Sequence, residues 1–274
     1  MAMIELIGLT KIYKGFKAVD GINLTVERGV LFGFLGPNGA GKTTTIKMMA
    51  GVLKPTGGMI RMNGLDIARE PEAVKQFVGF IPDRPFIHEK LTAREFLNFV
   101  ADLYRMERGR ARDEQILRLL ELFELAGWAD ELIESYSHGM KQRLVMCSAL
   151  ITEPKILVVD EPMVGLDPRG ARLVKTIFRG LVERGVTIFF ASSRSCVGSH
   201  KIWYSSEVTS RGFFRRPGAG KQEADGETLR YLGGGLLRCF DCAISDFWRE
   251  RCRTQLFSLR FLELPVLGLS PRWS

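Results

Sequence analysis

A chain of 274 residues is long enough to bury a sizeable core in one or two domains, and 46% hydrophobic with 26% charged residues is the composition of a soluble globular protein. No apolar run approaches the roughly 18 residues of a membrane span, and Met1-Ala2-Met3-Ile4-Glu5 lacks the basic-then-apolar pattern of a secretory leader. The net charge is +8, and five cysteines without a paired spacing suit a reducing, cytosolic compartment.

Residues 3–35 read as short strands with alternating apolar positions, broken at Lys14-Gly15 and Arg28-Gly29. The last of them, Val30-Leu31-Phe32-Gly33-Phe34-Leu35, is apolar throughout and reads as buried. It runs into Gly36-Pro37-Asn38-Gly39-Ala40-Gly41-Lys42-Thr43, a full match to the pattern GxxxxGK[ST], and residues 44–50 can begin a helix. Strand, loop and helix together are the setting in which this pattern means phosphate binding rather than a chemically mute glycine turn. The glycines let successive backbone N–H groups face inward around the β- and γ-phosphates. Lys42 brings a positive charge to the same phosphates, and the Thr43 hydroxyl is placed to ligate Mg²⁺. A nucleoside triphosphate is the expected ligand.

The stretch 93–126 has helical spacing, with Phe96, Phe99, Val100 and Leu103, then Ile116, Leu119, Leu120, Leu122 and Phe123 forming apolar stripes. Thr92 begins the first of these helices, with Glu95 three residues on as in a capping box. Further along, Ser137 can cap a helix starting near Gly139, whose N-terminus would offer N–H donors to an anion; an ordinary cap explains the spacing equally well. Ile156-Leu157-Val158-Val159-Asp160-Glu161 is an apolar, β-branched run ending in two carboxylates, the pattern of a buried parallel strand whose carboxyl end meets the phosphate loop. Asp160 would then hold the Mg²⁺ hydration shell, and Glu161 would polarise a water for in-line attack on the γ-phosphate. Residues 169–185 suit a helix ending at Gly185, and 186–191 a strand.

Over about residues 3–193 these motifs, in this order, resemble the ATP-binding subunits of ABC transporters. Tyr13 matches the aromatic that stacks on adenine, residues 36–43 the Walker A loop, Ser137-His138-Gly139-Met140-Lys141-Gln142 a variant of the signature loop, Ile156–Glu161 the Walker B strand, and Gly165-Leu166-Asp167-Pro168 the D-loop. A signature one short helix upstream of Walker B distinguishes this family from other phosphate-loop proteins. The resemblance implies an α/β fold: a P-loop NTPase core of the ABC ATPase type, an antiparallel β portion formed by residues 3–35, and a helical subdomain at about 84–150. It implies ATP and Mg²⁺ as cofactors. The nucleotide is expected to contact Tyr13, Gly36, Pro37, Asn38, Gly39, Ala40, Gly41, Lys42, Thr43, Thr44 and Asp167, with Ser137 and Gly139 reaching it from a second subunit. The metal ligands implied are Thr43, Asp83 and Asp160, with Glu161 as catalytic base. The partners implied are a second ATP-binding subunit, identical or related, and a membrane permease that places the chain on the inner face of the membrane; no nucleic acid is expected. Phe86, Phe96 and Phe99 either line the permease groove or belong to the core.

Several positions depart from the family pattern. Asp83 stands where Gln is usual, and His138 and Met140 where Gly and Gln are commoner; with residues 84–92 these changes resemble the bacterial exporter-like branch. Arg194 occupies the place of the switch histidine, and His200 lies six residues later. A permanently charged Arg can bind phosphate yet cannot accept a proton, so a hydrolysis-deficient regulatory protein is the alternative function.

From Arg194 the composition changes. Residues 1–193 hold 26 basic and 23 acidic side chains, a net of +3, whereas residues 194–274 hold 13 and 8, a net of +5. A solvated charge excess explains the basic tail better than contact with anionic lipid or nucleic acid, since no single face collects it. Arg to Lys runs 15:11 before residue 194 and 11:2 from there on, and four of five Cys fall in this stretch. Neither helical nor strand periodicity persists. The expectation is an atypical tail, translated out of frame relative to an ancestral gene, disordered, or diverged into an accessory segment. Cys239, Cys242, Cys252 and His200 lack the second close pair of a zinc site, so chance clustering is favoured.

Overall fold

The computed structural model describes residues 2–84 and 86–193, and the backbone of 201–204. Residues 194–200 and 205–274, with the predictions for Arg194, His200 and the cysteine cluster, lie outside the described residues.

Two sheets organise the chain. Strands β1 (Ala2–Tyr13) and β2 (Phe16–Glu27) form a hairpin. With β4 (Gly57–Met62) and β5 (Leu65–Asp66) they build a four-stranded antiparallel sheet in the order β2-β1-β4-β5. The second sheet contains β3 (Leu31–Leu35), β6 (Val78–Ile81), β7 (Ile156–Asp160), β8 (Thr187–Ser192) and β9 (Lys201–Tyr204), in the order β6-β7-β8-β3-β9. All its pairings are parallel. The grouping of residues 3–35 into one antiparallel unit is therefore corrected: β3 belongs to the parallel sheet, and β4 with β5, unread in the sequence, complete the other. Asn63 and Gly64, both at positive φ, supply the two-residue turn that joins them. Beyond residue 193, β9 pairs in parallel with β3.

The parallel sheet is covered on both faces, and the period-2 alternation of its strands sorts side chains between two cores. Leu31, Leu35, Leu157, Val159, Ile188 and Phe190 face one core; Phe32, Phe34, Ile156, Val158, Phe189 and Ala191 face the other. The first core is shared with α3 (Ala93–Leu103), α4 (Arg110–Leu122), α5 (His138–Leu150) and α6 (Pro168–Glu183). The second is shared with the antiparallel sheet, α1 (Lys42–Met49) and α2 (Pro71–Lys75). Phe189 stacks on Phe32 at 5.3 Å between ring centroids and lies tilted to Phe34 at 5.6 Å.

The helix starts follow local chemistry. Thr92 Oγ1 accepts from the Glu95 N–H at 3.2 Å while the Glu95 carboxylate accepts from the Thr92 N–H at 2.9 Å, the capping box read in the sequence. Ser137 caps α5 by accepting from the Met140 N–H at 3.3 Å. Asp167 caps α6, with Pro168 in its first turn. The helical stretch read over 93–126 ends its second helix at Leu122, and α3 and α4 are separated where Arg105 and Gly109 take positive φ.

Candidate functional site

Three neighbouring strands of the parallel sheet end on the same edge, and each delivers one part of the site. The phosphate loop follows β3, Asp160 ends β7, and Ser192 ends β8, which lies between them. Gly41 caps α1 at φ 76°, a left-handed conformation that favours glycine, and Gly39 has φ 83°. That backbone turns the loop back so that the Lys42 Nζ reaches inward, donating to the carbonyls of Gly36 and Pro37 at 2.8 Å each. The Ala40 N–H donates to the Pro37 carbonyl at 3.2 Å, and the Thr45 N–H and hydroxyl to the Gly41 carbonyl at 2.9 and 3.0 Å. Pro37, Asn38 and Gly39 form the exposed rim; Thr43 is exposed and Thr44 half-buried.

The electrostatics are those of a site built to hold opposing charges. Lys42 is buried, and desolvation pulls its pKa below the ordinary lysine value while the Glu161 and Asp160 carboxylates work against that fall. Asp160 is 2% exposed. Burial pushes its carboxyl up to about 6 from the usual 3.8; a Thr43 hydrogen bond opposes the rise, the charges of Asp83 and Glu161 add to it, and Lys42 opposes it. Its Oδ1 is buried with no hydrogen-bond partner. An anionic oxygen left unpartnered in a buried pocket is costly unless a cation meets it. Oxygen donors from Thr43, Asp160 and Asp83 suit Mg²⁺, so the residues present fit the metal.

Glu161 follows Asp160 at φ 48°, a left-handed conformation that a side-chain-bearing residue rarely adopts. Its N–H donates to the Ala191 carbonyl at 2.9 Å. Its Oε2 accepts from the Ser192 hydroxyl at 3.0 Å and its Oε1 from the Ser193 N–H at 2.6 Å. Neither serine was singled out from the sequence; a Ser-Ser pair ending a buried apolar strand was the signal available.

A second group of predicted residues gathers where α5 and α6 begin. A Cβ built on Gly139 would lie 3.2 Å from the Gly165 carbonyl oxygen, and one on Gly165 only 2.0 Å from the His138 ring. The signature and the D-loop of one chain thus pack directly on each other, with Gly165 at φ 79°. The Asp167 carboxylate is engaged as a helix cap, accepting from the Gly170 N–H at 2.8 Å. Gln142, unassigned in the sequence reading, is fully buried and donates to the Pro82 carbonyl at 3.5 Å. It ties the signature helix to the segment carrying Asp83. Tyr13 stands at the tip of the β1–β2 hairpin, 44% exposed, with the Lys11 Nζ 5.2 Å from its ring centroid.

The profile of the ABC transporter family matches residues 19–164. The chain belongs to the ABC transporter family. This ABC chain is 40% identical over 189 residues to the daunorubicin/doxorubicin resistance ATP-binding protein DrrA of Streptomyces peucetius, an alignment covering 69% of the chain and 57% of the relative. It is 39% identical over 191 residues to the bacitracin transport ATP-binding protein BcrA of Bacillus licheniformis, covering 69% and 61%. The chain therefore spans about three fifths of the length of these curated relatives. Among solved structures, a dimeric bacterial ABC transporter cassette superposes with a TM-score of 0.68 at 26% identity, covering 74% of this chain and 94% of that one. The fold is that of an ABC ATPase cassette, and the drug-resistance relatives agree with the exporter-like branch read from the signature variant.

Proposed function

We propose that this chain binds and hydrolyses MgATP to energise an exporter-type membrane permease, working as one of a pair of ATP-binding subunits on the inner face of the membrane. The observation that carries the reading is the buried, unpartnered Asp160 Oδ1 set beside Thr43 and within the field of Lys42. Mg²⁺ held by Thr43, Asp83 and Asp160 would offset the crowded negative charge of carboxylate and phosphate. Lys42 and backbone N–H groups within residues 38–44 would bind the phosphates, with Gly36 and Pro37 shaping the loop, and Tyr13 would stack on the base. Glu161 would take the proton of the attacking water. Ser137 and the Gly139 N–H would complete the site on the second subunit's nucleotide, a pairing supported by the dimeric cassette that this fold matches. We further assign the cassette to residues 1–193 and propose that residues 194–274 are an out-of-frame or accessory tail. Sequencing the encoding DNA tests that assignment, and an alternative frame lacking a His-bearing switch would remove the frame explanation.

The functional test is Glu161→Gln. ATP affinity is expected to persist while turnover is lost, and turnover equal to that of the unaltered chain would remove Glu161 from its role. A second reading, a nucleotide-binding regulator with little hydrolysis, is favoured by Arg194 in the switch-histidine place. An ATPase assay of the unaltered chain beside Arg194→His separates the two: activity present only in the variant favours the regulator.

A further inference from the structure

The strand order sets one residue between the two halves of the site. β8 lies between β7 and β3, so its last residue, Ser192, borders both the Walker B carboxylates and the phosphate loop. Ser192 pairs with Leu35 in the parallel ladder, and its carbonyl accepts from the Gly36 N–H at 3.4 Å. Its hydroxyl, on a residue 6% exposed, donates to Glu161 Oε2 at 3.0 Å. The next N–H, of Ser193, donates to the other oxygen, Oε1, at 2.6 Å. Glu161 is thus held at three points by successive residues: its own N–H by Ala191, and its two carboxylate oxygens by Ser192 and Ser193.

A carboxylate gripped through both oxygens cannot rotate about its terminal torsion, a freedom an unrestrained Glu keeps. Each oxygen has two lone pairs, so each retains one with which to accept a water. The grip therefore fixes the direction of those remaining lone pairs without consuming them, and a general base works only if it is within hydrogen-bond reach in the right orientation. All three holding groups come from residues 191–193. Resting on the role of Glu161 given above, we propose that Ser192 is a positioning residue that aims the Glu161 carboxylate for turnover.

The test uses the full chain as the unaltered protein, Ser192→Ala, Ser192→Thr, Ser192→Cys and Glu161→Gln. Ser192→Ala removes one hydrogen bond to a charged group, so kcat for ATP should fall about tenfold, with KM and equilibrium ATP affinity within about twofold of the unaltered chain. Ser192→Thr restores the hydroxyl and should recover most of the rate; Ser192→Cys, a weaker donor, should fall between. In the nucleotide-free protein, the Glu161 carboxylate stretch, assigned by infrared difference against Glu161→Gln, should shift in Ser192→Ala and not in Ser192→Thr. Unchanged kcat in Ser192→Ala, an equal loss in Ser192→Thr, or an unmoved carboxylate band overturns the proposal. So does an unaltered chain with no turnover above a protein-free control. Full turnover in Glu161→Gln instead brings down the base assignment itself, which keeps the two failures apart. Should Ser192→Ala fail to fold, the order of rates from Ser to Thr to Cys decides the matter.

Discussion

Asp160→Asn is expected to make the nucleotide-free protein more stable at pH 8 while removing Mg²⁺-dependent nucleotide binding. Burial raises the Asp160 carboxyl from 3.8 to about 6. That rise of roughly two pH units, at about 1.4 kcal/mol each, costs the folded state about 3 kcal/mol when Asp160 is charged. The folded state binds the proton more tightly than the unfolded state. The contribution of Asp160 to stability is therefore most favourable below about pH 4 and is lost as pH rises through about 6. Asn carries no charge, so the variant escapes the loss. Its side-chain amide inherits a buried position where Asp160 Oδ1 has no hydrogen-bond partner, so part of its polarity stays unsatisfied, which takes back about 1 kcal/mol. A net gain of about 2 kcal/mol remains at pH 8, or a rise in Tm of roughly 4–8 °C. It should shrink to about zero near pH 4.5 and turn into a loss of up to about 1 kcal/mol at lower pH. Denaturant titrations of both proteins from pH 4.5 to pH 8, without Mg²⁺ or nucleotide, measure this. A variant less stable than the unaltered chain at pH 8, or a gain that does not change with pH, would refute the electrostatic reasoning.

Two further outcomes test the packing around the site. Gly165→Ala places a side chain at φ 79° and within 2.0 Å of the His138 ring, and should cost about 1–3 kcal/mol in urea denaturation. Adding His138→Gly should return the steric part while leaving the backbone part, so additive losses would show that the two residues do not press on each other. Phe189→Ala removes a fully buried ring packed against Phe32 and Phe34 and should cost about 3–5 kcal/mol. A loss under about 1 kcal/mol would mean that this core does not hold the strands that carry the site.

What was legible in the sequence is what short-range chemistry determines. The phosphate loop needs Gly39 and Gly41 at positive φ and a lysine directly after them, all within eight residues. The Thr92–Glu95 box and the Ser137 cap likewise span one helical turn. Asp160 and Glu161 announced themselves by ending an apolar run. Sheet membership was harder to see, because alternation in residues 3–35 reports burial and not the identity of the neighbouring strand. β3 was grouped with β1 and β2 for that reason. The β4–β5 hairpin carried an Asn63-Gly64 signal that went unread, its strands being only six and two residues long. The contacts of Ser192 with Glu161 and of Gln142 with Pro82 bridge 31 and 60 residues. They exist only because the strand order places β8 between β7 and β3 and lets α5 run beside the end of β6, which no local pattern encodes.

Equilibrium ATP binding to the Lys42→Ala protein tests the phosphate-loop assignment most directly. Lys42 holds the loop's only buried ammonium and binds the carbonyls of Gly36 and Pro37. Its removal takes away a charge-assisted contact to phosphate in a desolvated site, and affinity should fall at least about tenfold. Undiminished affinity in Lys42→Ala would contradict it.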